Sequence, residues 1–329
     1  MNNGNHDAVL AGGVVAHYLK RFVKDYNFSL VIALVLLCIM LSILSPYFFS
    51  IQNVLNIGLA AAVVGIMAAG LTVSMLMGAF DLSQYAVATL CAVLIAMLLH
   101  TGLPIFVLVL LALAVGVICG LLNGVLVTVF KISPIITTLG TMLIYRAFCY
   151  ILTSSKILSI NDEFFNFVGR GYLLGIPVSV WILIVVYLVI SFVLKYTSFG
   201  RKVYAVGANP NASFLAGINI KAIRIGGLII SSVTGAIAGV ASASQVAAAI
   251  PSSGVGSEMD IATAVLIGGL SLTGGKGKLS GTFLGLLMLV VINNGLTLLS
   301  VQSYYQMLVR GIVLVLAVLI DSMRGGGYQ

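Results

Sequence analysis

The sequence predicts an all-α polytopic membrane protein of about ten transmembrane helices, with an inverted repeat relating spans two to five to spans seven to ten. Three observations carry that expectation. Apolar residues occupy 61% of the 329 positions. Charged residues make up 7%, against roughly 25% in an ordinary soluble domain. The apolar residues also fall in unbroken runs near the ~20 residues that one helical crossing needs, whereas a membrane barrel would alternate polarity. A soluble enzyme, a secreted disulfide scaffold and a disordered chain are excluded at once.

Residues 1–28 open the chain as a polar, basic segment and read as a cytoplasmic N-terminal arm. The first apolar run, 29–45, follows that long polar stretch without a small-residue cleavage site after it, so it reads as a span and not as a signal peptide. The runs 54–77, 84–99, 104–130, 135–153, 178–196, 225–249, 261–273, 281–299 and 304–320 continue the series. Together 29–320 form a single transmembrane domain, and 321–329 is a short cytoplasmic tail. The third and eighth runs are the weakest. The eighth would reach only about 20 Å as a helix, short of a hydrocarbon core of about 30 Å.

Lys and Arg placement sets the orientation. With the N-terminus inside, the inner side receives Lys20, Arg21, Lys24, Lys131, Lys195, Arg201, Lys202, Lys221, Arg224, Lys276, Lys278 and Arg324, and the outer side only Lys156 and Arg170. Both termini are therefore expected in the cytoplasm of a multi-pass chain. The net charge of +8 is a topology signal, and no nucleic-acid partner is expected. The longest outer loop, 154–177, carries Asp162, Glu163 and three phenylalanines. It reads either as an ordinary solvated loop or as a place for an external partner.

The two halves echo each other. Asp81 precedes span three and Asp260 span eight. Asn123-Gly124 lies in span four and Asn294-Gly295 in span nine. Span five contains Met142 to Arg146, and span ten Met307 to Arg310. Corresponding short or Gly-interrupted spans in inverted halves mark pathway-lining elements, which points to spans three and eight. Asp81 is placed either to cap the third span or to line the path. Asn123, Asn293 and Asn294 carry amides that can join helices or meet a neutral polyhydroxylated ligand. Arg146 and Arg310 are expected to face protein or to snorkel, because a charge at mid-bilayer is costly.

Chemistry beyond transport has no support. Cys38, Cys91, Cys119 and Cys149 are scattered without CxxC or Cys/His pairing, so they read as packing residues and no metal site is expected. The stretch from Thr273 to Gly277 lacks the spacing of a phosphate-binding loop, so the chain is expected to have no ATPase site and to bind no cofactor itself. The acidic residues other than Asp81 are expected in loops or at span ends. Without an intramembrane carboxylate relay, a secondary carrier acting alone is the weaker rival, and an intramembrane enzyme weaker still.

The longest inner connection, 197–224, mixes aromatic, apolar and basic residues. Pro210 and Asn211 are placed to start a short helix ending at Gly217. This loop resembles the coupling segment of ABC-type sugar permeases of the ribose/arabinose/xylose/galactose group. Phe80-Asp81-Leu82-Ser83, Leu122-Asn123-Gly124, Thr138 to Met142, Ser257 to Asp260, Gly268 to Gly277 and Asn293 to Leu296 match the same family, and the resemblance runs from about Leu30 to Asp321. It departs from the family's usual residues at Ala79-Phe80, at Ser257 and at Pro210-Asn211, where relatives often carry two acids.

The resemblance implies the permease subunit of a binding-protein-dependent importer for a pentose or related monosaccharide, set in membrane lipid. It implies a partner ATPase that uses ATP and Mg, a periplasmic sugar-binding protein and a second permease copy forming a homodimer. It further implies that Gly200, Arg201, Tyr204, Gly207, Asn209 and Gly217 couple to the ATPase. Asp81, Asn123, Asn293 and Asn294 are the candidates for the translocation path, and Glu258 and Asp260 for the binding-protein side.

Overall fold

A computed structural model describes residues 26–323. The N-terminal arm up to residue 25, with Lys20, Arg21 and Lys24, and the tail from Arg324 lie outside the described residues. Each of the ten expected runs contains a helix. In chain order the spans are α1 (Tyr26–Leu44), α2 (Ile51–Leu76), α3 (Gln84–Leu98), α4 (Ile105–Thr128), α5 (Pro134–Thr153), α7 (Val178–Tyr196), α10 (Ile220–Val246), α11 (Glu258–Ile267), α12 (Leu279–Leu298) and α13 (Ser303–Asp321). Three shorter helices lie in connections: α6 (Glu163–Arg170), α8 (Ser198–Ala208) and α9 (Pro210–Leu215). Two small antiparallel pairs complete the fold, β1 (Leu158–Ser159) with β4 (Ala248–Ala249) and β2 (Tyr172–Leu173) with β3 (Ile176–Pro177).

Helix dominates because hydrocarbon offers no hydrogen-bond partners, so each crossing must satisfy its own backbone. Polar side chains mark where helices begin. The Ser50 hydroxyl accepts from Asn53 N at 3.3 Å and starts α2. Asn219 accepts from Ala222 N at 3.1 Å and starts α10. Both helices begin earlier than hydropathy alone suggests, α10 by one full turn, because their first turns carry Gln52 and Asn53 or Lys221 and Arg224. Those residues are helical but too polar to count as membrane.

Among the described residues, eight helices are long and apolar enough to cross a membrane, and the 303–319 stretch of α13 is a shorter apolar helix. The expected eighth span is the one that fails. α11 has ten residues, about 15 Å at 1.5 Å per residue, half a bilayer core. The apolar residues after Ile267 leave the helix in a glycine-rich connection, with Gly269, Gly274, Gly275 and Gly277 all at positive φ. The eighth run, short already in the sequence, is thus a half-span.

The centre of the bundle is built from α2, α3, α10, α11 and α12, whose facing sides are buried, while much of α1, α5 and α13 is exposed apolar surface suited to lipid. Small residues allow the tightest approach. A Cβ at Gly120 of α4 would lie 2.6 Å from Ile229 Cα of α10, and one at Gly124 2.9 Å from Ile225 Cα. The 154–177 connection is folded rather than open. Asp162 caps α6 by accepting from Phe165 N at 2.8 Å, Phe165 is buried, and Arg170 donates to the Gln245 and Val246 carbonyls at the end of α10.

Candidate functional site

The two ends of the bundle differ in charge and in architecture. One end carries α8, α9, the 268–278 connection and Lys131, Lys195, Arg201, Lys202, Lys221, Arg224, Lys276 and Lys278. The other carries α6, the β pairs, Asp162 and Glu163.

At the basic end α8 and α9 form an elbow. Thr197 caps α8 by accepting from Gly200 N at 3.2 Å, and Asn209 caps α9 by accepting from Ala212 N at 3.0 Å. Pro210 occupies the first turn of α9. Gly217, at φ +78°, closes the helix, with Ile218 N donating to Ser213 O at 3.0 Å; this is the left-handed termination glycine permits. The short helix expected from Pro210 is therefore present.

The elbow is anchored from below. Val203 and Val206 are fully buried. A Cβ on Gly207 would collide with the Leu76 carbonyl at the end of α2 and lie 2.6 Å from Gly275 N, which itself donates to Leu76 O at 2.8 Å. Tyr204, whose phenol burial pushes above its ordinary pKa, donates to Gly277 O at 3.4 Å. Of the six expected coupling residues, Gly200, Tyr204 and Gly207 thus face the bundle, and Arg201, Asn209 and Gly217 face out. Phe214 and Leu215, exposed at 70% and 86%, are the outward apolar residues that the sequence reading missed; apolar residues on so short a helix gave no periodicity to read.

Between α2 and α3 the chain breaks at residues 77–83. Asp81 is buried there. Its carboxylate accepts from Ser83 N at 2.9 Å, from the Ser83 hydroxyl at 2.7 Å and from the Ser231 hydroxyl of α10 at 2.7 Å. Asn123 Nδ2 of α4 donates to the same Ser83 hydroxyl at 2.9 Å. Gln84 Nε2 reaches the Met67 and Ser231 carbonyls at 3.1 and 3.0 Å. Asp81 therefore bonds the amide of the residue before α3 and a neighbouring helix instead of capping the first turn. Asp81 and Asn123 share one buried network, in which Asn123 Oδ1 and Gln84 Oε1 have no partner.

The start of α11 holds the second carboxylate group. Glu258 pairs with Arg146 of α5, and Asp260 pairs with Arg310 of α13 at 3.0 Å. Both acids are buried. They sit in the first turn of α11, where the helix dipole also favours negative charge. Both acids, at the start of the helix, are turned to arginines of neighbouring helices. Arg146 and Arg310 do face protein, as their placement suggested.

Beside Asp260 lies a cavity of about 360 Å³, lined by Asn53, Asn56, Asn293, Asn294 and Thr297 together with apolar residues of α12. Asn53 and Asn294 exchange amide hydrogen bonds at 2.8 and 3.0 Å, while Asn293 Oδ1 is buried without a partner. The structure thus brings Asn293, Asn294 and Asp260 together and separates them from Asp81 and Asn123. Asn53 was missed because it falls just before the apolar run at 54, where a polar residue reads as loop.

The arrangement is mechanical. The 26-residue α2 is a rod of about 39 Å. Its basic end touches Gly207 and its far end carries Asn53. α12 likewise starts after the 268–278 connection and carries Asn293 and Asn294 toward its far end. Both helices whose starts or ends meet the elbow also wall the amide cavity.

The chain matches the family model described as branched-chain amino acid transport system, permease component, over residues 53–318. It is 38% identical over 312 residues to the ribose import permease protein RbsC of Escherichia coli K12, covering 94% of this chain and 97% of that one. It is 38% identical over 298 residues to the ribose import permease protein RbsC of Haemophilus influenzae, covering 89% and 92%. It is 33% identical over 295 residues to the L-arabinose transport system permease protein AraH of Escherichia coli K12, covering 90% of each. No solved structure matches the chain.

Proposed function

Because the chain belongs to the ABC-type monosaccharide permease family, we propose that it conducts a pentose or closely related sugar inward as the membrane subunit of an ATP-driven importer. The chain is a multi-pass transport subunit. In this reading it pairs with a second copy, ATPase subunits that use ATP and Mg grip the α8–α9 elbow, and a soluble binding protein delivers sugar at the opposite end. The basic end faces the cytoplasm of a bacterial inner membrane, in line with its eight Lys and Arg residues among the described ones, and both termini lie there too.

One observation carries this reading: Gly207 of the elbow sits directly on Leu76 of α2 and on Gly275 before α12. A push on the exposed Phe214–Leu215 tip cannot leave those contacts unmoved, because packed helices transmit displacement as rigid bodies. The far ends of the same helices hold the amides of the cavity. Amides donate and accept at once, which is what a neutral polyhydroxylated ligand requires, and the volume is at the lower end of small-ligand sites.

The test is uptake by proteoliposomes holding the permease, its ATPase and its binding protein. Ribose or arabinose accumulation should require ATP and all three components. Sugar uptake by liposomes holding this chain alone would replace the reading with a self-sufficient carrier. A Lys202→Cys variant should be labelled by an impermeant thiol reagent only from the ATPase side; labelling from the binding-protein side would invert the orientation.

A further inference from the structure

A groove of about 340 Å³ runs between α7 and α12 and shares no residue with the elbow or with the amide cavity. Ile184, Tyr187, Leu188 and Ser191 of α7 line it with Ser280 and Phe283 of α12. The Tyr187 and Phe283 rings meet edge to face, 5.3 Å between centroids. The Tyr187 hydroxyl is buried without a partner, whereas Leu188 is 65% exposed. An opening of that size calls for side chains or an acyl chain rather than one water, whose share of the liquid is ~30 Å³.

The groove borders the point where the N-terminal arm joins the bundle. Asn27, in the first turn of α1, donates to the Ser280 hydroxyl at 3.2 Å, and a Cβ on Gly281 would lie 3.3 Å from Asn27 Oδ1. The arm up to residue 25 therefore ends beside a residue that lines the groove. Its sequence from Val14 onward repeats two apolar positions in every four: Val14-Val15, Tyr18-Leu19 and Phe22-Val23, with Ala16-His17, Lys20-Arg21 and Lys24 between them. At 3.6 residues per turn this repeat drifts by only about 40° each time, so on a helix the pairs make one apolar stripe with the cations opposite. Such a stripe suits a membrane boundary, its cations in the headgroup layer. The groove's chemistry favours the arm over a lipid tail. An acyl chain offers the Tyr187 hydroxyl no polar atom, while Tyr18 carries a phenol oxygen. Phe22 and Val23 also stand within five residues of Asn27, so no linker is needed to bring them to the groove.

We propose that residues 14–24 form an amphipathic helix that docks across this groove, with Tyr18, Leu19 and Phe22 covering Tyr187 and Leu188 and with Lys20, Arg21 and Lys24 turned to the headgroup layer. The arm is then a strap that ties α1 to α7 and to the start of α12. Because α12 follows the connection whose Gly275 packs under Gly207, the strap is fastened to a helix that the elbow reaches. The assignment does not depend on which sugar is carried.

The test is disulfide cross-linking in the assembled transporter, reconstituted in nanodiscs of phosphatidylethanolamine and phosphatidylglycerol. Ser191→Cys is combined with Phe22→Cys or with Lys24→Cys. Cys91, Cys119 and Cys149 are buried and Cys38 is half-buried, and Ser191→Cys alone measures their background. The Phe22→Cys pair should cross-link at least tenfold faster than the Lys24→Cys pair, although Lys24 is nearer to Asn27 along the chain. A tether without docking would favour Lys24. Equal rates, a faster Lys24 pair, or no cross-link from either would overturn the proposal. A second readout is alkylation of Ser191→Cys by a membrane-permeant maleimide, which should speed up severalfold when Tyr18→Ser and Phe22→Ser are added. An unchanged rate would give the groove to a lipid tail and leave the arm on the bilayer surface, and that too would overturn it.

Discussion

The break before α3 and the start of α11 hold corresponding places in the two halves, yet they settle a buried carboxylate in different ways. Asp81 is held by neutral donors, the Ser83 amide and hydroxyl and the Ser231 hydroxyl. Glu258 and Asp260 are held by arginines from two other helices. A network of neutral donors loses one bond at a time. A buried ion pair leaves a bare charge when either member goes, and breaking one costs about 3–5 kcal/mol. Each break precedes a helix near a buried carboxylate, a full span in the first half and a half-span in the second, and the two carboxylate sites differ in their electrostatics. The first break is a local joint among α3, α4 and α10. The second is a clamp that ties a half-span to α5 and α13.

Arg146→Leu should therefore be the most damaging of the substitutions considered, destabilising the folded chain by about 3–5 kcal/mol because it strands Glu258. The double change Arg146→Leu with Glu258→Leu should recover most of that loss, a coupling readable from thermal unfolding in detergent as a double-mutant cycle. A double variant as unstable as the single one would show that the pair is not the source of the effect.

Asp81→Asn should cost less, about 1–3 kcal/mol. The amide keeps one acceptor oxygen, but its NH₂ group must meet hydroxyl or backbone donors already committed to the carboxylate. If Asp81→Asn proved as damaging as Arg146→Leu, the contrast between the two breaks would fail.

Arg310→Gln belongs lower still, near 1 kcal/mol. The Arg310 side chain is 31% exposed, against 11% for Arg146, and water screens a pair that it reaches. The comparison sharpens if raising salt weakens the Arg310 contribution and leaves that of Arg146 unchanged, as burial predicts.

The bundle was legible in sequence for a physical reason: lipid leaves a backbone few alternatives to helix, so a long apolar run states its own structure. Misreadings cluster where that logic weakens. Polar first turns at Asn53 and Lys221 are helical without being apolar. The run 261–273 is apolar without being helical throughout, because glycines at positive φ end it. The partners of the buried charges were illegible for another reason. Arg146 and Glu258 are separated by 112 residues, and Asp81 and Ser231 by 150, and no local pattern joins positions so far apart. Pro210 and Gly217 announced the short helix between them, but only the packing of Gly207 on Leu76 shows which residues of the elbow look inward.

The amide cavity offers the smallest effect on stability and the sharpest on function. Asn294 exchanges two hydrogen bonds with Asn53, so Asn294→Ala should lower stability by about 1 kcal/mol, leaving Asn53 Oδ1 without its donor while Nδ2 keeps the Phe48 carbonyl. Asn293 Oδ1 has no partner to lose, so Asn293→Ala should leave the unfolding temperature nearly unchanged. If the cavity lies on the sugar's route, Asn293→Ala should nevertheless slow uptake severalfold at limiting sugar while the ATPase still turns over. A permease with ordinary stability and ordinary uptake would show that the amides of α12 serve packing alone, and the route would then have to be sought at another surface of the bundle.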